Sequence, residues 1–450
     1  MAEIGREIPG PTGMEGLRWM WRLRQDTFRG FVELSKAYGD VVSLPLMPGR
    51  TLILGATPEF AQHILQDEHR RYKKAVTYEF LEPVVGKGLL TSHGDRWLRQ
   101  RRLVAPAFHR HRIESYVTTI RRCCEEMVER WPRGDGGQEI DISGQMSSVT
   151  LSIAGLLLFN RDIGGESSWI GDDLVLLFRD VNRRIMSPLS LPREVPTPRN
   201  RRVNAALERL EGLVYEMIDE RRGRAEEYDD LLSMFMLAED EESGQLMSDE
   251  EIRDEVMTFI LAGHDTTSNL LAWSFALLSR FPEVRRRLER EVRPLEGRVP
   301  TVEEVRGWTY MDQVIDEVLR LYPPAWTVER EPLEDDVVQG YQIPAGSIVS
   351  VGPYFVHHNE RVWPNPEGFD PGRFEGGRAE RERYAHFPFG GGPRMCVGAD
   401  FAILEAKFVL GTVLGAGRLD LVNAHELEAE GTVTLYPRQG VNMRFIPHDL

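Results

Sequence analysis

Cysteine and lysine are the scarce residues of this 450-residue chain. The three cysteines are Cys123, Cys124 and Cys396. An odd, sparse set, two of them adjacent and badly placed to bridge each other on a helix, excludes a disulfide framework and points to a cytoplasmic setting. Lysine stands only at 36, 73, 74, 87 and 407, so arginine carries nearly all the positive charge. Genome composition and adaptation to salt both produce that bias, whereas extreme thermophily usually does not. Positive charge as a whole is in deficit: the formal net charge is −16. A nucleic-acid binder needs a basic face, so that class is not expected. No apolar run reaches the ~20 residues of a spanning helix. Residues 151–159 supply about half of that length, and 259–278 are interrupted by the polar run from His264 to Asn269. Neither a signal peptide nor a membrane anchor is expected.

Hydrophobic residues make up 41% of the chain, enough for a large core. The pattern predicts a mainly α fold with a small β region, in one domain over residues 1–450, with no repeat and no linker. A helix is expected over 26–38, then strands over 41–46 and 51–54 around the turn Pro48-Gly49. Helical signals dominate to about residue 322, with capping boxes at Ser248/Glu251 and Thr301/Glu304. The acidic stretch 239–243 reads as a solvated turn. Strands are expected over 337–343 and 347–351, then a long irregular stretch, 353–394, of the kind that usually carries function. A last helix spans 397–414, and a small strand pair closes the chain.

The irregular stretch ends at Cys396. A lone cysteine is more often a small buried hydrophobe than a ligand. Here it directly precedes a helix, whose free N–H groups and dipole lower a thiol pKa and hold a thiolate. Gly390, Gly391 and Gly392 allow a backbone to approach a flat cofactor closely, and Arg394 is placed to reach a carboxylate on it. A second unusual segment, Ala262-Gly263-His264-Asp265-Thr266-Thr267-Ser268, puts polar residues in the middle of an apolar helix. It is either a polar patch at a helix interface or local rule-breaking that marks function. Glu317 and Arg320, and Trp97 and Arg101, lie one helical turn apart; a surface ion pair and a charged helix face are the plain readings.

The spacing Phe389-x-x-Gly392-x-Arg394-x-Cys396-x-Gly398 resembles the haem-binding signature of the cytochrome P-450 superfamily, and 262–268 resembles its oxygen-activation segment. With 317–320 and 97–101, four motifs stand in that family's order. The resemblance implies the haem-thiolate monooxygenase fold, with haem b ligated by Cys396 in a loop that includes Phe389 and Gly398. Trp97, Arg101, Arg330 and Arg394 would meet the propionates, with His386 a further candidate. Thr266 would position a hydrogen bond to bound dioxygen, beside a loosened helix, and Asp265 would relay protons. Glu317 and Arg320 would form a buried pair joined by Arg373, in a segment where Gly372 replaces the usual glutamate. The implied reaction inserts one atom of dioxygen into a C–H bond. The chain has no flavin or iron–sulfur motif of its own, so the two electrons would come from a separate ferredoxin or flavodoxin-type donor with its reductase, docking near Arg378, Arg381 and Arg383. Residues 262–266 and 321–326 resemble fatty-acid hydroxylases and a bacterial carotenoid hydroxylase type. The expected substrate is therefore small, apolar and long: a fatty acid first, a carotenoid or terpenoid second. Candidate pocket positions are 78–90, 185–192 (with Met186, Leu189 and Leu191), 259–266, 325–328 and 437–441. A peroxide-driven peroxygenase and a non-catalytic haem sensor are the alternatives.

Overall fold

The computed structural model describes residues 6–47, 50–131, 139–164, 168–186, 191–377, 381–422 and 427–448. Strands β1 (Val41–Met47) and β2 (Arg50–Gly55) pair antiparallel. They join β3 (Tyr72–Lys74), β4 (Val328–Pro332) and β5 (Ile348–Val351) in one sheet of order β1-β2-β5-β4-β3. Both faces of this sheet are covered around β1, β2 and β5, so these strands read as mainly apolar runs rather than alternations. Val42, Leu44, Leu52 and Leu54 pack with Phe28, Phe31 and Trp326. Val41, Ile53, Val349 and Val351 face the other way, against Phe60, Ile64 and Tyr384.

The run expected as one strand over 337–343 is a hairpin, Asp336–Val338 against Tyr341–Ile343. Gln339 and Gly340 both take positive φ (52° and 77°), as a two-residue turn between twisted strands requires.

The helical body is built on α1 (Gly94–Val104), α2 (Ile142–Phe159), α3 (Asp249–Arg280), α4 (Thr309–Leu321) and α5 (Ala399–Ala416). The Ser248/Glu251 capping box is present and starts α3, which runs 32 residues through the core. α2 is longer than its apolar run suggests and is the one described helix long and apolar enough to cross a membrane. Most of it is buried, and it packs on α3: the Ser147 hydroxyl meets His264 Nε2 at 2.7 Å, and Thr150 donates to the His264 carbonyl at 3.2 Å. Cys123 and Cys124 are free and buried.

Candidate active site

Between α3 and the loop before α5 lies a cavity of about 1180 Å³. One wall is the Cys396 loop. Its turn is closed by backbone bonds, from Cys396 N–H to the Phe389 carbonyl (2.9 Å) and from Met395 N–H to the Gly392 carbonyl (3.1 Å). The glycines do more than approach a ligand. Gly392 has φ 64°, and a Cβ there would sit 2.0 Å from the Leu65 carbonyl oxygen; one on Gly391 would sit 2.3 Å from the Tyr384 ring. These two seat the loop on the protein. Only Gly390 has open space where a side chain would be.

Cys396 is exposed, and its accessible surface opens onto this cavity. Phe389 and Gly398 line the cavity with it. The expected fall in its thiol pKa is not found. Burial pushes it up, and the Gly398 N–H and Arg101 pull down by less. Helix α5 begins at Ala399, so the thiol lies ahead of the first turn.

Trp97, Arg101, Arg330 and Arg394 all line the same cavity, joined by Lys74. Trp97 and Arg101 share one face of α1. The Arg394 guanidinium lies 4.2 Å from the Trp97 ring centre and donates to the Ser92 carbonyl (3.0 Å); Arg101 donates to the Met395 carbonyl (3.0 Å). Lys74 and Arg330 are register partners across β3 and β4. Burial lowers the pKa of Arg101, of Lys74 and, to about 10, of Arg394; the last two are lowered further by Arg330. Among the described residues no carboxylate pairs with any of these four cations. Buried charges demand partners. Four cations without a carboxylate partner beside a thiol, at the edge of a mainly apolar hollow, fit a flat apolar molecule carrying two acid groups, as haem with its propionates is. The sequence reading missed Lys74, because only the β3–β4 register brings it beside Arg330.

The opposite face of α1 is tied to the acidic stretch 239–243. That stretch is a solvated turn as expected, with Glu239 and residues 241–243 exposed, except that Asp240 is 2% exposed and accepts from Arg102 at 2.9 Å; nearby, Glu251 accepts from Arg99 at 2.6 Å. These bonds orient α1 so that Trp97 and Arg101 face inward. The segment leading into α1 is held by Glu255, whose Oε2 accepts from Leu89 N–H (3.1 Å) and whose Oε1 has no partner. Burial raises the Glu255 pKa to about 8. Between the unfolded value near 4.3 and about 8, the unfolded chain has released this proton while the folded chain keeps it, so stability falls as pH rises across that window. Glu255→Gln is expected to flatten this fall. Melting temperatures of both proteins from pH 5 to 8.5 check it, and parallel curves would refute it.

Across the cavity, α3 presents Ala262, Gly263 and Thr266. The helix is unbroken here, not loosened. Two of its polar residues bond back to the helix: Thr266 donates to the Ala262 carbonyl (2.7 Å) and Ser268 to that of Asp265 (3.0 Å). The Asp265 carboxylate accepts from the hydroxyl of Thr434, which lines the cavity, while Asp265 itself does not. Burial raises the Asp265 pKa; the Thr434 and Asn269 hydrogen bonds oppose this. His264 is turned away to α2, and burial lowers its pKa to about 4.

Glu317 and Arg320 are fully buried and doubly bonded, at 2.7 and 2.8 Å. Arg373 approaches Glu317 at 3.4 Å, and the Asp370 N–H donates to it at 2.9 Å. Gly372 in place of glutamate leaves this cluster intact.

Several expected positions fall elsewhere. His386 meets the Asp316 carbonyl at 3.1 Å and stacks on His357, so it is no propionate partner. Arg381 lies 3.7 Å over the Phe374 ring, held against the protein, while Arg383 is exposed. Arg378, Leu189 and the Met186 side chain lie outside the described residues. Leu191 is at the surface. The C-terminal contribution to the cavity is 432–434, not 437–441. Tyr78, Leu90, Ile185, Phe259, Trp326 and Val328 do line it.

The family profile described as cytochrome P-450 matches residues 9–433. The chain is 36% identical over 393 residues to cyclooctatin synthase of Streptomyces melanosporofaciens, which covers 86% of this chain and 85% of that protein. It is 35% identical over 392 residues to cyclooctat-9-en-7-ol 5-monooxygenase of the same organism, 86% and 84% of the two chains. To pentalenene oxygenase of Streptomyces avermitilis it is 30% identical over 444 residues, 98% and 97%. A thiol facing a large, mainly apolar hollow with a cationic edge, and a match that spans nearly the whole length, lead to one conclusion: the chain belongs to the cytochrome P-450 family and is a haem-dependent monooxygenase of apolar substrates.

Proposed function

We propose that residues 1–450 act as one haem-thiolate unit that hydroxylates a polycyclic terpenoid. The observation that carries this is the Cys396 thiol opening onto a large, mainly apolar hollow whose edge holds four cations without a carboxylate partner among the described residues. When bound, haem supplies reductive activation of dioxygen, one atom going to a substrate C–H bond and the other to water. In this reading Cys396 is the iron ligand, in a loop shaped by Phe389 and Gly398. Arg101, Arg330, Arg394 and Lys74 hold the propionates, with Trp97 packed beneath Arg394. Asp265 moves protons inward through Thr434, and Thr266 presents a hydroxyl over the reacting site. Phe259, Ile185 and Trp326 shape the apolar pocket and exclude water.

The names of the relatives favour a terpenoid over a fatty acid. The donor in this reading is a ferredoxin or flavodoxin type with its reductase, in the cytoplasm. Incubation with such a pair, NADPH and oxygen, against panels of cyclic terpenes and fatty acids, tests it; oxidation of fatty acids alone would overturn the substrate class. Turnover with peroxide and no donor would favour a peroxygenase instead. Asp265→Asn is expected to lower product formation about 100-fold. Thr266→Ala is expected to keep NADPH consumption while product falls. The ratio of product to NADPH checks both, and an unchanged ratio in Thr266→Ala would remove its assigned role.

A further inference from the structure

Glu329 is the one acidic side chain among the described residues lining the cavity. It stands on β4, one residue before Arg330. Its Oε2 accepts a hydrogen bond from the hydroxyl of Thr77, which is also in the cavity wall. Its Oε1 meets no donor among the described residues. No cation pairs with it: Arg330 directs Nη1 to the Glu329 backbone carbonyl, at 3.0 Å. Burial raises its pKa, and the Thr77 bond offsets this only in part.

Burial with no paired cation shifts a carboxyl group toward its neutral form. In that form it has one O–H to donate and further lone pairs to accept with. Thr77 uses one oxygen. The other has no partner among the described residues, and in a residue that lines the cavity an unmet polar group is costly. Tying Thr77 to β4 alone would not require a second polar oxygen there, since a glutamate brings two where a single acceptor suffices.

We propose that Glu329 is a specificity-determining residue that binds a hydroxyl group on an otherwise apolar substrate, so that the enzyme prefers an already oxygenated terpenoid to its parent hydrocarbon. This rests on the terpenoid reading above. The substrate then comes from an earlier hydroxylation, or from water capture of a carbocation, and this enzyme adds a later oxygen.

The test is a spectral titration of the haem-loaded enzyme with the sesquiterpene cedrene and its alcohol cedrol, following the substrate-induced Soret shift. Wild type is expected to bind cedrol about tenfold more tightly than cedrene. Glu329→Leu is expected to bind the two alike. Glu329→Gln, which still donates and accepts, is expected to keep most of the preference, and its carbon monoxide spectrum reports an intact site. A preference that survives in Glu329→Leu, or is absent from wild type, overturns the proposal while leaving the terpenoid reading in place. Loss of the preference in Glu329→Gln as complete as in Glu329→Leu overturns the neutral-acid role. Binding of neither compound by wild type overturns the terpenoid reading and this inference with it.

Discussion

Reduced with dithionite and exposed to carbon monoxide, the haem-supplied protein is expected to show a strongly red-shifted Soret band, and Cys396→Ser to lose it entirely. The substitution is close to isosteric, and the loop does not depend on the side chain it changes. The bonds that close the turn run through the Cys396 and Met395 backbone amides, and Gly391 and Gly392 seat it on Tyr384 and Leu65. The cationic edge is also untouched. The variant is therefore expected to fold and to retain haem, and what it loses is the electron-rich sulfur. Turnover should fall to background with the band. A red-shifted band in well-folded Cys396→Ser would remove the assignment of the ligand and every role that depends on it.

Arg320→Ala is expected to leave little haem-loaded protein. The guanidinium makes five hydrogen bonds, two to Glu317 and one each to the carbonyls of His357, Pro366 and Gly368. Removing one partner of a buried pair costs about 3–5 kcal/mol, because the other charge is left uncompensated. Each orphaned carbonyl adds roughly 1–3 kcal/mol. Total stability of about 5–15 kcal/mol does not absorb that sum comfortably. Arg320→Lys should fare little better, since an ammonium lacks the planar fork that reaches both the carboxylate and the carbonyls. Arg361→Ala, at an exposed pair with Asp40, is the control, with an expected effect within about 1 kcal/mol. Haem content per chain and urea midpoints report both variants. An Arg320→Ala protein as stable as Arg361→Ala would show that the cluster does not hold the loop.

The parts of the site legible in the sequence are those whose members are near neighbours in the chain. Trp97 and Arg101, Glu317 and Arg320, and the run from Phe389 to Gly398 are each set by one helical turn or one loop. The helix and strand pattern was legible for the same reason, down to the Ser248 capping box. What was not legible depends on long-range register. Lys74 joins Arg330 only through the β3–β4 pairing, and Asp265 meets Thr434 only because the C-terminal strands fold back over α3. The stretch 239–243 is the solvated turn its acidic charges suggest, but nothing local reveals that Asp240 alone is buried there against Arg102. His386 looked like a further propionate partner by proximity in sequence, yet its ring turns to Asp316. The unbroken course of α3 was hidden because the Thr266 hydroxyl satisfies itself within the helix.

That the cavity is walled by Phe259–Thr266 on one side and by Cys396 and Thr432–Thr434 on the other bears on the order of events during synthesis. At about 5–20 residues per second, the chain from Thr266 to Thr434 takes roughly 10–30 s to make. For much of that interval α3 meets only the walls made before it, such as Phe108, Tyr116 and Phe178, and the thiol wall does not yet exist. Cofactor capture therefore waits until Cys396 and Thr432–Thr434 have been made, and until then the growing chain carries a sticky surface that folding catalysts or a lower growth temperature would protect. Yield in a recombinant host is set by those seconds as much as by the final stability of the fold.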